Sequence, residues 1–280
     1  MSTPSEKNPA PAAEDGTRAP IELKYNPHEG VEEPYLILPG GAHSAAVVKD
    51  LATYISRALA VNPEAAIRLT ARGRVLAVFA CSLEPEDASS TAPVIMGMRA
   101  LHLAAESALD MTVQAQALQE RLARLQKQAE QQSAEGQQNP ELVLYMPPVT
   151  VNAGWTGKAA PVRGWSEVGT VPVEEFARAT AEGLEAVDRA LPENPGAAVL
   201  TTVRSRIWSS PMVLEYLPAF DGVQVPTGAA FALRVYGFIP EEGFTGELPV
   251  FAARVGSDEW LRIVAPAGMV LVRRGSGSLI

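Results

Sequence analysis

The segment Pro226-Thr227-Gly228-Ala229-Ala230-Phe231-Ala232, which continues to Gly237-Phe238, sets the expected architecture of the second half of the chain. It concentrates small residues between breaks marked by proline and glycine, so that neighbouring backbones can approach it closely. It contains no acid, base, thiol or metal ligand, and we therefore do not interpret it as a catalytic loop. We expect a small-residue helix that packs closely against a helix at 173–191 or against the C-terminal hairpin.

The composition indicates a folded main body with an acidic surface. A length of 280 residues suffices for one large domain or two small ones. With 47% hydrophobic and 20% charged residues, the chain has enough apolar side chains for a packed core. The formal net charge of -9 disfavours nonspecific binding to nucleic acids and anionic membranes, because like charges repel. We therefore expect no nucleic-acid partner and no membrane partner.

The lack of a signal-peptide pattern and of a long apolar run predicts a cytoplasmic protein. The sequence shows no basic n-region followed by an apolar h-region at its start, and no apolar run long enough to span a bilayer. Cys81 lies in the apolar run 75–81 and has no second cysteine to pair with, so we expect a buried structural thiol.

The chain is expected to have α+β architecture, with two small units that follow a disordered N-terminal tail. Residues 1–33 are rich in Pro, Ala and Glu and poor in large apolar residues, which is typical of disorder. An N-terminal unit at 34–135 and a C-terminal unit at 136–280 are separated near the polar linker 133–139. In each unit, short antiparallel strands are predicted to pack against helices.

The N-terminal unit is predicted to contain two helices around a three-stranded meander. Apolar residues recur at helical spacing in 44–61, where Asn62-Pro63 ends the helix. Alternating or apolar stretches predict strands at 67–70, 75–83 and about 93–103, with a tight turn at Arg72-Gly73. A second helix is expected at about 112–132.

The second helix carries a heptad-like apolar seam. Its members are Met111, Ala115, Leu118, Leu122, Leu125 and Ala129. Packing of this seam onto the unit's own sheet is the favoured interpretation, and the alternative is a homodimeric coiled coil.

The C-terminal unit is predicted to combine three helices with a terminal hairpin. A strand or an extended arm at 142–151 leads into a loop rich in glycine and proline. Helices are expected at 173–191, at 197–208 and from Pro226 onward. Strands are expected at 250–255, 260–264 and 268–274.

No established catalytic signature is present. The sequence lacks a phosphate-binding loop, a dinucleotide fingerprint and a nucleophile elbow, and its three histidines are not spaced as metal ligands. We expect no metal, no cofactor and, on balance, no enzymatic activity. The candidate ligand or interface residues are Trp155, Arg163, Trp165 and Arg204, because tryptophans on loops line pockets or interfaces and arginine binds anions. For both tryptophans, core packing is an equal alternative.

Several short motifs resemble a family of uncharacterised actinobacterial proteins. They are Pro161-x-Arg163-Gly164-Trp165, Val203-Arg204-x-x-x-Trp208, the 226–238 segment, Trp260-x-Arg262, Val272-Arg273-Arg274, Gly97-Met98-Arg99-Ala100-Leu101 and Asp110-x-Thr112-Val113. The resemblance implies no activity and carries over no functional residue.

Three functional hypotheses follow. The first is a protein that acts through protein–protein contacts or as a homodimer, which the seam and the acidic surface favour. The second is a small-ligand binding protein with a pocket between the two units, lined by Trp155, Trp165 and Arg163. An enzyme of unrecognised type is third, because titratable groups are not clustered in the sequence.

Overall fold

The computed structural model describes residues 33–40, 44–85, 90, 92–134, 142–213, 224–240 and 244–274. The predicted tail therefore lies, apart from Glu33, outside the described residues. The elements in chain order are β1 (Tyr35–Leu38), α1 (Ser44–Val61), β2 (Ala66–Leu83), β3 (Val94–Gln114), α2 (Ala115–Ala134), β4 (Leu142–Tyr145), β5 (Ser166–Pro172), α3 (Val173–Ala190), α4 (Ala197–Ser209), α5 (Thr227–Val235), β6 (Glu247–Val255), β7 (Asp258–Ala265) and β8 (Gly268–Arg274). The predicted α+β class with antiparallel strands is confirmed.

One antiparallel sheet runs through both halves of the chain. Its six strands have the order β2-β3-β8-β7-β6-β5, and β1 pairs with β4 in a separate two-stranded sheet. The halves meet where β3 pairs with β8, from Val94 opposite Arg273 to Met98 opposite Met269. The last strand of the chain therefore completes a sheet that begins in the first half.

The predicted turn at Arg72-Gly73 is wrong. The two strands expected around it form the single strand β2, whose register against β3 shifts between Gly73 and Val75. Gly73 has a φ of +58°, which glycine adopts without a steric penalty, but the chain is not reversed there. The extra residues of the irregularity lie on β3, between His102 and Ser107.

One helix boundary and one strand differ from the sequence predictions. Thr112 was expected in the first turn of a helix, but it pairs with Arg68 and extends β3, so α2 begins only at Ala115. β5 was not predicted, and it pairs with β6 at the edge of the sheet. In both places pairing with a distant strand decides the conformation.

The helices pack on one face of the six-stranded sheet, with α5 at the centre. Ala229, Ala230 and Leu233 of α5 are at most 1% exposed. A Cβ placed on Gly228 would lie 2.7 Å from Cδ1 of Ile95, and one on Gly183 of α3 would lie 2.4 Å from Cζ3 of Trp208. Close approach to α3, α4 and the sheet therefore requires small residues, as the sequence predicts.

The apolar seam of α2 is covered within the chain. Ala115, Leu118, Leu122, Leu125 and Ala129 are at most 4% exposed. They pack mainly against α1 and β4, and less against the large sheet, which was the expected partner. The seam is therefore not free to form a coiled coil with a second copy.

Cys81 as a residue is partly exposed, but its sulfur atom is buried, as the sequence predicts. Its single S–H group is shared between two acceptors, the carbonyl oxygens of Leu83 at 3.1 Å and Ile95 at 3.4 Å from Sγ. Burial of the sulfur atom raises the pKa of the thiol well above its ordinary value. The cysteine is therefore held as an uncharged, structural group.

Candidate ligand-binding groove

The face of the six-stranded sheet opposite the helices carries a second apolar cluster. Side chains of a strand alternate between the two faces, so the residues next to the core positions of β2, β3, β7 and β8 point to this side. The cluster consists of Val94, Met96, Trp155, Trp260 and Leu271. None of these residues is α-helical, and the segment 153–165 covers part of the cluster.

A cavity of about 350 Å³ lies between the sheet and this segment. We call it the groove. Its floor is mainly apolar and is formed by Val75, Ala77, Phe79, Met96, Met98, Met269 and Leu271. Its wall is formed by Trp155, Lys158, residues 159–162 and Trp165. The polar residues at its edge are Arg68, Thr70, Arg72, Asp110 and Arg262.

The wall is anchored to the sheet at several points. Trp155 is 3% exposed and lies in a short 3-10 turn, Gly154–Gly157. Arg68 Nη1 donates a hydrogen bond of 2.8 Å to the carbonyl oxygen of Thr156. Lys158 Nζ lies 2.6 Å from Oδ2 of Asp258, a buried carboxylate on β7. These contacts hold the wall in one position over the floor.

Arg68 also forms a bidentate ion pair with Asp110 across β2 and β3. Nε and Nη2 each donate a hydrogen bond of 2.9 Å to one oxygen of the carboxylate. The hydrogen bonds from Arg68 lower the pKa of Asp110, although partial burial opposes this. Asp110 therefore stays ionised and keeps Arg68 oriented towards Thr156.

Glu84 contacts the wall at the backbone of Trp155. The Glu84 carboxylate accepts a hydrogen bond from the backbone N–H of Trp155, which lowers its pKa. Partial burial has the larger effect, so the pKa of Glu84 is raised overall. Glu84 therefore fixes the backbone of Trp155 at the start of the wall, although its carboxylate loses part of its contact with water there.

Arg262 of β7 lies between two aromatic rings at the edge of the groove. Its guanidinium carbon is 4.7 Å from the centre of the Trp165 ring and 4.5 Å from that of Phe251. Trp165 is itself held by a 2.9 Å hydrogen bond from Nε1 to the carbonyl oxygen of Pro161. Burial lowers the pKa of Arg262, and its Nε atom is buried with no hydrogen-bond partner in the described part of the chain.

The structure brings two of the four sequence-predicted residues together. Trp155 and Trp165 both line the groove. Arg163 lies on the same segment but is exposed and does not line it. Arg204 lies on α4, at a separate cavity of about 460 Å³ between α3, α4, α5 and the end of α1.

Sequence reasoning missed the residues that β2, β3, β7 and β8 contribute to the groove. Phe79, Met98 and Arg262 come from three strands that are far apart in the chain. Trp260-x-Arg262 stood out in the sequence only as a family motif. Alternation along β7 places both of its residues on the groove face, but this signal needs the strand order before it identifies a site.

The described residues form neither a metal-ligand cluster nor a membrane-spanning helix. Within the described ranges, no group of three or more His, Cys, Asp or Glu side chains is placed to hold a metal ion. Of the described helices, none is long and apolar enough to cross a bilayer.

Two family models match the chain, and both describe domains of unknown function. DUF8010 matches residues 41–139 and DUF8185 matches residues 160–277. These matches fit an uncharacterised family, as the sequence motifs predict, whereas the actinobacterial origin stays a prediction. No curated protein matches the sequence.

Solved structures of polymerase subunits show a distant likeness. One is a putative DNA polymerase III beta subunit from Eubacterium rectale, with 9% identity, a TM-score of 0.44 and coverage of 88% of this chain and 66% of that chain. Another is the pol III beta of Caulobacter crescentus, with 12% identity, a TM-score of 0.43 and coverage of 88% and 67%. This chain thus spans about two thirds of their length, and TM-scores this low support no functional argument.

Proposed function

We propose that this protein is a non-enzymatic binding protein that holds a small, mainly apolar ligand in the groove. The observation that carries the proposal is a cavity of about 350 Å³ lined by both Trp155 and Trp165. This volume lies within the range of small-molecule sites, which are mostly apolar with a few placed polar groups.

The floor of the groove supports this proposal through its chemistry. Three methionines line it, namely Met96, Met98 and Met269. Methionine side chains are flexible and polarisable, so they adapt to the shape of an apolar ligand. The aromatic rings of Phe79 and Trp165 add flat apolar surface against which a hydrocarbon body can pack.

The position of the groove supports the proposal of a pocket between the two units. Phe79 and Met98 come from the first unit, whereas Trp165 and Met269 come from the second. A ligand here would contact both sides of the β3–β8 pairing. Binding would therefore stabilise the junction of the two halves as well as the wall.

The groove offers little for catalysis. Of the described residues that line it, Asp110 is the single carboxylate, and none is a histidine or a cysteine. Asp110 is paired with Arg68, which removes it as a free general base. These features favour binding over chemical conversion.

Self-association is the weaker alternative. The seam that favoured it is buried against α1 and β4, so a homodimer would need another surface. Light scattering over a range of concentrations tests this alternative directly. A stable dimer together with no saturable ligand binding would favour self-association and contradict the proposal.

A neutral fluorescent probe tests ligand binding. We expect N-phenyl-1-naphthylamine to bind saturably with one site per chain and to raise the melting temperature. In Ala77→Phe, the added ring occupies the floor of the groove, so probe affinity should fall about tenfold or more. The matched control is Ala198→Phe on the exposed surface of α4, which should bind like the wild type. Binding that is absent in the wild type or unchanged in Ala77→Phe would contradict the proposal.

A further inference from the structure

The groove is positively charged although the chain as a whole is acidic. Four cationic side chains and one carboxylate line it, namely Arg68, Arg72, Lys158, Arg262 and Asp110. The formal net charge of the whole chain is -9. A local excess of positive charge in an apolar cavity attracts an anionic group and disfavours a cationic one.

Two of these cations are already engaged. Arg68 is held by Asp110 and by the carbonyl oxygen of Thr156. Lys158 is paired with Asp258. Both therefore serve to anchor the wall, and their charges are largely compensated within the protein.

Arg262 differs from them because nothing in the described residues compensates its charge. No described carboxylate lies within ion-pair distance of the Arg262 guanidinium. Burial is the one cause that shifts the pKa of Arg262, and it lowers that pKa. The rings of Trp165 and Phe251 contact the guanidinium at 4.7 and 4.5 Å. Stacking on aromatic faces leaves the N–H groups at the edge of the guanidinium plane free to donate.

From this arrangement we infer that the ligand of the groove is an amphipathic monocarboxylate whose carboxylate is bound by Arg262. The inference rests on the proposed function and adds the chemical class of the ligand. A planar carboxylate matches the fork of donors on a guanidinium, and such charge-assisted bidentate bonds are among the stronger ones in proteins. The hydrocarbon or aromatic body lies on Phe79, Met96 and Met98.

A carboxylate fits better than a phosphate ester. A phosphate carries more charge and more acceptor oxygens, and sites for it use several free cations or backbone N–H groups. The groove offers Arg262 as its one stacked arginine, and its floor is apolar. Arg72 also has no ion pair among the described residues, but it is exposed to solvent. Arg262 is therefore the one partly buried, uncompensated guanidinium of the groove, and it balances one negative charge.

Matched ligands separate the inference from the proposed function. Decanoate, decanol and decyl phosphate differ only in the head group, and each is measured by displacement of N-phenyl-1-naphthylamine from the full chain. We expect decanoate to bind about tenfold or more tightly than decanol, the size of one hydrogen bond to a charged group. Equal affinities of decanoate and decanol would overturn the inference and leave the proposed function standing. If neither binds and the probe does not bind, the proposed function itself fails.

Variants assign the effect to Arg262. In Arg262→Met the preference for decanoate over decanol should disappear while decanol affinity stays within about twofold. Arg262→Lys keeps the charge but loses the bidentate fork, so part of the preference should remain. Arg163→Met is the control, because Arg163 lies in the segment 153–165 beside the groove, is exposed and does not line the groove.

Two results would overturn the assignment. One is a preference for decanoate over decanol that is the same in Arg262→Met and Arg262→Lys as in the wild type. The other is tighter binding of decyl phosphate than of decanoate by the wild type. If Arg262→Met fails to fold, the wild-type comparison of the three ligands and the Arg262→Lys variant still decide between carboxylate recognition and structural stacking.

Discussion

Nη1 of Arg68, on the edge strand β2, donates a 2.8 Å hydrogen bond to the carbonyl oxygen of Thr156, in the wall of the groove. The same guanidinium is paired with Asp110 on β3. One side chain from the first half of the chain thus positions a segment of the second half. Arg68 is consequently a positioning residue for the groove.

Replacement of Arg68 by Met should loosen the wall. The variant loses the contact to Thr156 and leaves Asp110 without its partner, so we expect a loss of about 1–2 kcal/mol in the free energy of unfolding. Amide hydrogen exchange of residues 153–160 should become faster. Urea unfolding and hydrogen exchange measure the two effects.

Arg74→Met is the matched control for this change. Arg74 lies on the same strand and is exposed. Its replacement should leave the exchange of residues 153–160 unchanged. Equal exchange in wild type and Arg68→Met would show that the wall is held without Arg68.

The ion pair also predicts a dependence on pH. Arg68 lowers the pKa of Asp110 in the folded state. At pH values between this lowered pKa and the ordinary one, the folded protein therefore binds fewer protons than the unfolded chain. The contribution to stability is present above the unfolded pKa near 3.8 and is lost as the pH falls through the lower folded value. Asp110→Asn should therefore be less stable than the wild type at neutral pH, and the difference should shrink in acid.

The size of this effect is limited by solvent. The Asp110 side chain is 52% exposed, so the difference should stay below about 1 kcal/mol. Urea unfolding of both proteins between about pH 3 and pH 6 measures it. A difference that grows towards low pH would have the wrong sign and would contradict the assignment to Asp110.

Gly183→Ala should destabilise the contact between α3 and α4. The new Cβ would lie 2.4 Å from Cζ3 of Trp208 and 3.2 Å from Cγ2 of Thr227, so the buried ring must move. Overpacking of this kind costs about 1–3 kcal/mol, which outweighs the gain of roughly 1 kcal/mol in helix propensity. Thermal unfolding measures the change.

Gly196→Ala is the control for the added methyl group. Gly196 precedes α4 with a φ of -67°, and a Cβ there meets nothing within 4 Å. Because Gly196 is the N-cap residue of α4, where alanine is less favourable than glycine, its effect should stay below about 1 kcal/mol. A Gly183→Ala variant as stable as this control would mean that Trp208 is not tightly packed.

Ala230→Leu tests the centre of the helical layer. Ala230 is 1% exposed on α5, so a leucine should overpack the core and cost about 1–3 kcal/mol. Ala181→Leu, at an exposed position of α3, should change the stability by less than about 0.5 kcal/mol. Equal melting temperatures of the two variants would show that α5 is less tightly packed than its burial indicates.

Local patterns predicted most of the helices. α1 begins and ends where the apolar period and Asn62-Pro63 place it, and α3 and α4 differ from their predicted ends by one residue. The small-residue segment was also recognised, since the composition of α5 requires close packing wherever it lies. These features depend on neighbours three or four residues away, which the sequence shows directly.

Strand ends and the groove were less predictable, because they depend on partners far along the chain. Thr112 is in a strand because Arg68 lies opposite it, and β5 exists because β6 accepts it at the edge. Trp155 and Trp165 were recognisable as tryptophans in a loop rich in glycine and proline. Arg262 was not recognisable as a site residue until Phe251 and Trp165 were found on either side of it.

The sequence by itself thus determined the α+β class, the helices and the close-packed character of the 226–238 segment, because periodicity and residue size act locally. Only the tertiary structure decided that β3 pairs with β8 and that Phe79, Met98, Trp165 and Arg262 share one groove. It also decided that the seam of α2 packs inside the chain. The physical reason is that strand pairing and burial join residues across most of the chain's length, and a pattern along the sequence does not specify which distant strand supplies the partner.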